Sequence, residues 1–163
     1  MASSKRGKVL TIAILAAITV ASFVVWLVPQ DLGMTIITDD YGGLLDSAIS
    51  IHGTLQDSLT AQYQNMLAGS VMPAEYAEVA QITSAQVTEQ IRILVTASPP
   101  QEWAASYEQY IESLRAFNSM IRETAVVAEA ISSGGDVSHM EPRIAELRGL
   151  SAEHAELSDA ARP

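Results

Sequence analysis

The chain has 163 residues, with 19 acidic and nine basic side chains and no cysteine. The lack of cysteine excludes disulfides, iron–sulfur clusters and thiolate metal sites. The formal net charge of −10 argues against nucleic-acid binding, because a phosphate backbone requires a basic surface on the protein.

Residues 9–28 form an uncharged, apolar stretch that predicts a single transmembrane helix. At about 1.5 Å per residue, this length spans the ~30 Å hydrocarbon core of a bilayer. Lys5, Arg6 and Lys8 precede the stretch, whereas all acidic residues follow Pro29. Basic residues are retained on the cytoplasmic side. We therefore predict a cytoplasmic tail at residues 1–8 and a cell-membrane protein whose C-terminal domain is extracytoplasmic.

A cleaved signal peptide is the alternative interpretation of this stretch. The basic start fits it, but the apolar run exceeds the roughly 7–15 residues of a signal peptide's core, and the bulky residues 23–27 offer no cleavage site. We expect an uncleaved signal-anchor. Within it, Ala13, Ala17 and Ala21 share one helix face, and small residues at this spacing let membrane helices pack closely. That face is a candidate contact with other membrane proteins.

Residues 29–39 predict a short stalk, because Pro29, Gly33 and several β-branched residues disfavour a continuous helix. Four amphipathic helices are predicted in residues 40–163. They run from about Asp40 to Leu67, from Pro73 to the prolines at 99 and 100, from there to Ser132, and from Ser138 or Glu141 to Ala160. The connections between these helices are roughly five to eight residues long, and such short connections favour an antiparallel arrangement of consecutive helices. The predicted fold class is all-α: an N-terminal transmembrane helix followed by an antiparallel, up-down four-helix bundle. A coiled hairpin completed by a partner chain is the alternative.

The third predicted helix has the strongest pattern in the domain. Its apolar positions alternate at steps of four and three over four heptads, which is typical of a coiled coil or a bundle helix. These positions are Trp103, Tyr107, Tyr110, Leu114, Phe117, Ile121, Thr124, Ala128 and Ile131. The corresponding predicted faces of the other helices are Leu44, Ala48, Ile51, Leu55, Leu59, Gln62 and Met66; Tyr76, Val79 or Ala80, Thr83, Val87, Ile91 and Leu94; and Met140, Ile144, Leu147, Leu150 or Ser151, His154 and Leu157.

The aromatic residues near one end of the third helix are the candidate ligand site. Trp103, Tyr107, Tyr110 and Phe117 either line a pocket for a small apolar or cationic ligand or pack in the core. Core packing is the favoured interpretation, because aromatic residues at helical spacing are ordinary core constituents.

No metal, cofactor or catalytic residue is predicted. The three histidines, His52, His139 and His154, form no Glu-x-x-His pair of the kind that di-iron bundles use, and zinc requires three or four converging ligands. The carboxylate pairs, such as Glu108 and Glu112, lie off the apolar faces. The sequence has neither a serine-nucleophile motif nor a glycine-rich phosphate loop.

These observations predict a non-catalytic, single-pass protein that is an accessory or scaffold subunit of a larger membrane complex. Its expected partners are the lipid bilayer and other membrane-protein subunits or a second copy of itself. The main alternative is an extracytoplasmic, sensor-like bundle that binds a ligand and signals through a partner. A metal-binding bundle is a remote alternative.

Overall fold

The computed structural model describes residues 40–163, which form four helices and, within that range, no strand. They are α1 (Tyr41–Leu67), α2 (Pro73–Thr96), α3 (Gln101–Ser132) and α4 (Glu141–Ala160). The predicted all-helical class and the four helices are confirmed. The predicted tail, transmembrane helix and stalk, and with them Ala13, Ala17 and Ala21, lie outside the described residues. None of the four described helices combines the length and apolarity needed to cross a membrane.

The helices begin and end where the local sequence favours it. The Asp40 side chain accepts a hydrogen bond of 2.7 Å from the amide of Gly43 and so caps α1. Pro73 lies in the first turn of α2, where its missing N–H is harmless. Gly69 and Gly134, which follow α1 and α3, have φ values of 71° and 74°. Glycine adopts this left-handed backbone at little cost, so both residues favour chain reversal.

Side-chain contacts define the directions of the helices. Along α2 and α3, Tyr76 bonds to Thr124 and Ser84 bonds to Asn118, so the two helices are antiparallel. Along α3 and α4, Ser106 bonds to Ser158 and Ser113 bonds to Ser151, so these two helices are also antiparallel.

The first and third helices run parallel to each other. The Tyr41 ring lies against Tyr107, and His52, further along α1, lies against Phe117, further along α3. The Tyr63 and Tyr76 rings, 5.6 Å apart, close the turn between α1 and α2.

The third helix is buried on two faces, which makes it the centre of the bundle. One face carries the predicted positions from Tyr107 to Ala128, whereas Trp103 and Ile131 at its two ends are only half-buried. The second face was not predicted. It consists of residues at seven-residue intervals: Ser106, Ser113, Met120 and Val127. Its two serines bond to α4.

The buried faces of the other helices differ from the prediction at several positions. In α1, Leu45, His52 and Tyr63 are buried, whereas their predicted neighbours Leu44, Ile51 and Gln62 are half-exposed. In α2, Gln90 replaces Ile91, and in α4, Ser158 replaces Leu157, which is 45% exposed. Met140 and His154 are half-buried. Three of these differences replace a predicted apolar residue with a polar neighbour: His52 for Ile51, Gln90 for Ile91 and Ser158 for Leu157. His52 is buried where it bonds to Tyr110, and Ser158 is buried where α4 approaches α3 closely.

Candidate functional site

His52 is a buried histidine between α1 and α3. Its ring lies 4.6 Å from the Phe117 ring, and its Nδ1 atom lies 3.1 Å from the Tyr110 hydroxyl, a hydrogen-bond partner. The side chain is 6% exposed, and its Nε2 atom has no hydrogen-bond partner within residues 40–163. Burial lowers the pKa of His52 to about 4, so the ring is neutral at pH 7. The α1–α3 interface therefore contains a neutral imidazole with one unsatisfied nitrogen.

The candidate aromatic residues are brought together in part. Tyr107, Tyr110 and Phe117 are each 1% exposed, so a ligand in solvent has no access to their rings. The Tyr107 hydroxyl donates a 2.8 Å hydrogen bond to the carbonyl of Tyr41, and burial raises the pKa of Tyr107 to about 12. Trp103 lies apart at the bundle end, where a Cβ atom on Gly42 would approach its ring to 3.2 Å. These contacts are those of core side chains.

The α3–α4 interface is built on two reciprocal pairs of serines. Ser106 and Ser158 each donate to the other's backbone carbonyl at 2.8 Å. Ser113 donates to the carbonyl of Ser151 at 2.7 Å and accepts in return at 3.0 Å through its own carbonyl. Such bonds require the two backbones to lie close together, which only small side chains allow. Heptad spacing of serine in both helices was the sequence signal for this interface.

The remaining histidines lie apart from His52 and from each other. His154 Nδ1 lies 2.8 Å from Gln109 Oε1, and His139 lies beside Asp136 in the loop before α4. Within residues 40–163, no group of three or more histidine, aspartate or glutamate side chains is arranged to hold a metal ion.

A shallow groove lies between α1 and α4 in the described domain. It has a volume of about 400 Å³ and is lined by Gln56, Asp57, Thr60, Ala61 and Gln64 of α1 and by Arg148 of α4. The α1 residues follow each other at helical spacing and so share one face. The backbones of α1 and α4 approach each other less closely than those of any consecutive pair of helices. The groove occupies this looser side of the bundle, and no pattern in the sequence marked it.

Oppositely charged groups face the groove without pairing. Neither Asp57 nor Arg148 makes an ion pair with any residue in the range 40–163. Arg148 also lies near Tyr63, whose hydroxyl donates a 2.7 Å hydrogen bond to Glu141. Burial, followed by this hydrogen bond to the carboxylate, raises the pKa of Tyr63, so the phenol stays protonated. The groove therefore has an anionic wall on α1 and a cationic wall on α4.

Comparisons with known proteins give no further guide to the site: no family model matches the chain, and neither a curated protein nor a solved structure matches it.

Proposed function

We propose that this protein is a non-catalytic, membrane-anchored helical protein that serves as an accessory or scaffold subunit of a larger membrane complex. One observation carries the proposal: an uncharged apolar stretch at residues 9–28 is joined to α1 by about a dozen residues. In this proposal the helices form an up-down bundle on the extracytoplasmic side, held close to the bilayer. Its partners are lipid, other membrane subunits or a second copy.

The polar groups of the bundle support a non-catalytic role. Across helix interfaces, the hydroxyls of Ser106, Ser113 and Tyr107 bond to backbone carbonyls, and that of Tyr76 bonds to Thr124. They stabilise packing and do not converge on the groove. A catalytic group, in contrast, needs access to substrate and a neighbouring acid, base or nucleophile.

Membrane orientation is tested with single cysteines, because the chain has none of its own. Ser3→Cys lies in the predicted tail and Ser47→Cys on the exposed side of α1. In intact cells, a membrane-impermeant maleimide is expected to label Ser47→Cys but not Ser3→Cys, which reacts only after lysis. Labelling of Ser3→Cys in intact cells, or equal labelling of both, would contradict the proposed orientation.

Assembly is tested on the full chain, produced at native abundance and extracted in a mild detergent. Light scattering on the eluted peak is expected to give a protein mass well above the 17.4 kDa of one chain. Ala17→Leu, on the small-residue face, is expected to reduce that mass, since leucine blocks close helix approach. Ser22→Leu introduces the same bulk on the opposite side of the predicted helix and is the matched control. A protein that elutes as a single copy would overturn the subunit proposal.

The α1–α4 groove favours a second function: a ligand-binding, sensor-like bundle that signals through a partner. Small-molecule sites are concave and carry a few convergent polar groups. The groove has three hydrogen-bonding side chains and two opposite charges, and it lies on α1, the helix nearest in sequence to the predicted anchor. A ligand that bridges α1 and α4 would therefore act on the helix that leads to the membrane.

A further inference from the structure

The arginines of the described domain differ in how they are paired. Arg92, Arg115 and Arg143 each pair with a glutamate three residues away on the same helix. Arg162 pairs with Asp46 and Asp159. Within residues 40–163, Arg148 and Arg122 make no ion pair, and only Arg148 lines the groove. Arg148 thus has its hydrogen-bonding capacity free for a ligand.

The opposite wall supplies a complementary set of groups. Asp57 is exposed and makes no ion pair in the described domain. Gln56, Thr60 and Gln64 line the same wall, and together they offer amide and hydroxyl donors and acceptors. Ala61 lies among these longer side chains and leaves space at the surface of α1. The volume of about 400 Å³ falls in the lower part of the range found for small-molecule sites.

The two charges select against ligands that carry only one. A simple anion would pair with Arg148 but be repelled by Asp57. A simple cation would pair with Asp57 but be repelled by Arg148. A ligand that carries both a carboxylate and an ammonium group satisfies both walls. Charge-assisted hydrogen bonds, with the guanidinium binding the carboxylate through two N–H groups, are the strongest polar contacts available here.

We propose that the α1–α4 groove binds a small zwitterion of the α-amino-acid class, with Arg148 as the carboxylate ligand and Asp57 as the ammonium ligand. Gln56, Thr60 and Gln64 supply neutral hydrogen bonds to the remaining polar atoms. The proposal rests on the second function above, ligand binding by the bundle, and names its ligand class.

Binding would strengthen the looser α1–α4 side of the bundle. Near the groove, α1 is joined to the start of α4 by the Tyr63–Glu141 bond, and at the far end Asp46 joins the Arg162 guanidinium. A zwitterion between Asp57 and Arg148 adds a third link between these two. A ligand that binds only the folded domain raises its unfolding temperature by mass action.

The test is thermal unfolding of the full chain in a mild detergent, with Trp26→Phe introduced so that the fluorescence reports on Trp103 alone. The probes are the standard α-amino acids with uncharged, non-aromatic side chains, each at 10 mM, together with two capped forms of each. An N-acetyl amino acid retains the carboxylate alone, and an amino-acid amide retains the ammonium alone. At least one free amino acid is expected to raise the midpoint by a few degrees, and its two capped forms are expected to shift it much less.

Variants assign the effect to the groove. Asp57→Asn and Arg148→Gln are expected to abolish the shift. Glu129→Gln and Arg122→Gln remove charges on α3 that are also exposed and unpaired in the described domain. They are the matched controls and are expected to retain the shift. The double variant Asp57→Arg with Arg148→Asp exchanges the two walls and is expected to recover part of the shift, because a zwitterion can bind in the reverse direction.

The outcomes separate this inference from the function on which it rests. The zwitterion proposal is overturned if no free amino acid shifts the midpoint, or if the shift survives both groove variants. If N-acetyl amino acids act as well as free ones, and Arg148→Gln but not Asp57→Asn removes the effect, the zwitterion is wrong. Ligand binding by the bundle then stands, with a carboxylate as its ligand.

Discussion

The α3–α4 interface and the packing of α1 show two ways of joining helices in one small domain. Between α3 and α4, four serines bring the backbones close enough for reciprocal bonds to carbonyl oxygens. Between α1 and its neighbours lie larger side chains, a buried histidine with an unsatisfied Nε2 atom and an open groove. From this difference we expect α3 and α4 to form the more stable part of the domain and α1 to be the helix that is displaced first.

The largest expected effect comes from breaking the tight interface. Ser113→Leu places a bulky side chain where two backbones are in close approach and removes a bond to the Ser151 carbonyl. Overpacking of this kind is costly, and we expect a loss of about 3 kcal/mol in the free energy of unfolding, measured by urea denaturation. Ser119→Leu makes the same change on the exposed face of α3 and is expected to be nearly neutral. Equal losses for the two variants would contradict the close-approach account.

The second-largest expected effect is a loss of stability in acid, caused by His52 between α1 and α3. His52 has a folded-state pKa of about 4, below the ~6.5 of an unfolded chain. The unfolded state therefore binds more protons between these values, so stability is full above pH 6.5 and falls as the pH decreases towards 4. From pH 7 to pH 5 the expected loss is about 2 kcal/mol, measured by urea denaturation at each pH.

Two variants attribute that pH dependence to the buried ring. His52→Leu removes the titrating group and is expected to flatten the stability profile between pH 7 and pH 5. His139→Gln removes an exposed histidine from the loop before α4 and is expected to leave the slope unchanged. A slope that persists in His52→Leu would show that another group is responsible.

A smaller effect is expected where α1 is joined to the C-terminal end of α4. Arg162, 24% exposed in its side chain, pairs with Asp46 at 2.8 Å. Arg162→Gln is expected to lower stability by about 1 kcal/mol or less, because the pair is partly solvated. Hydrogen exchange is the sharper measurement: amides in the first turns of α1 are expected to exchange faster in the variant, and those of α3 to be unchanged. Uniform acceleration in both helices would contradict a separable α1.

The sequence predicted the helices well because their signals are local. Proline at the start of α2, glycine after α1 and α3 and the four–three spacing of α3 depend only on neighbouring residues. The same spacing placed Tyr107, Tyr110 and Phe117 on the buried face of α3. It was harder to predict which of two neighbouring residues faces inward, because that depends on the helix opposite. His52 is buried against Tyr110 and Phe117, which lie about sixty residues further along the chain.

The groove was beyond sequence reasoning for a different reason. Asp57 and Arg148 are ordinary exposed residues of amphipathic helices, and nothing in their local sequence marks them. Only the fold shows that the two remain unpaired while they line the same groove. The serine interface lies between these cases: its heptad spacing is visible in the sequence, but serine is so common on exposed helix faces that packing was needed to interpret it.

The smallest expected effect is the loss of an exposed ion pair within α4, away from the contacts between α1 and α4. Arg143 and Glu146 form a 2.8 Å ion pair on the exposed face of α4, and both side chains are more than half exposed. Arg143→Gln is expected to change stability by less than about 0.5 kcal/mol, since solvent and salt screen such pairs. Urea denaturation at low and high salt measures it, and the small difference from wild type is expected to disappear at high salt. A loss comparable to that of Arg162→Gln would mean that ion pairs anywhere on α4 stabilise the domain equally, and the special place of the α1–α4 contact would then be lost.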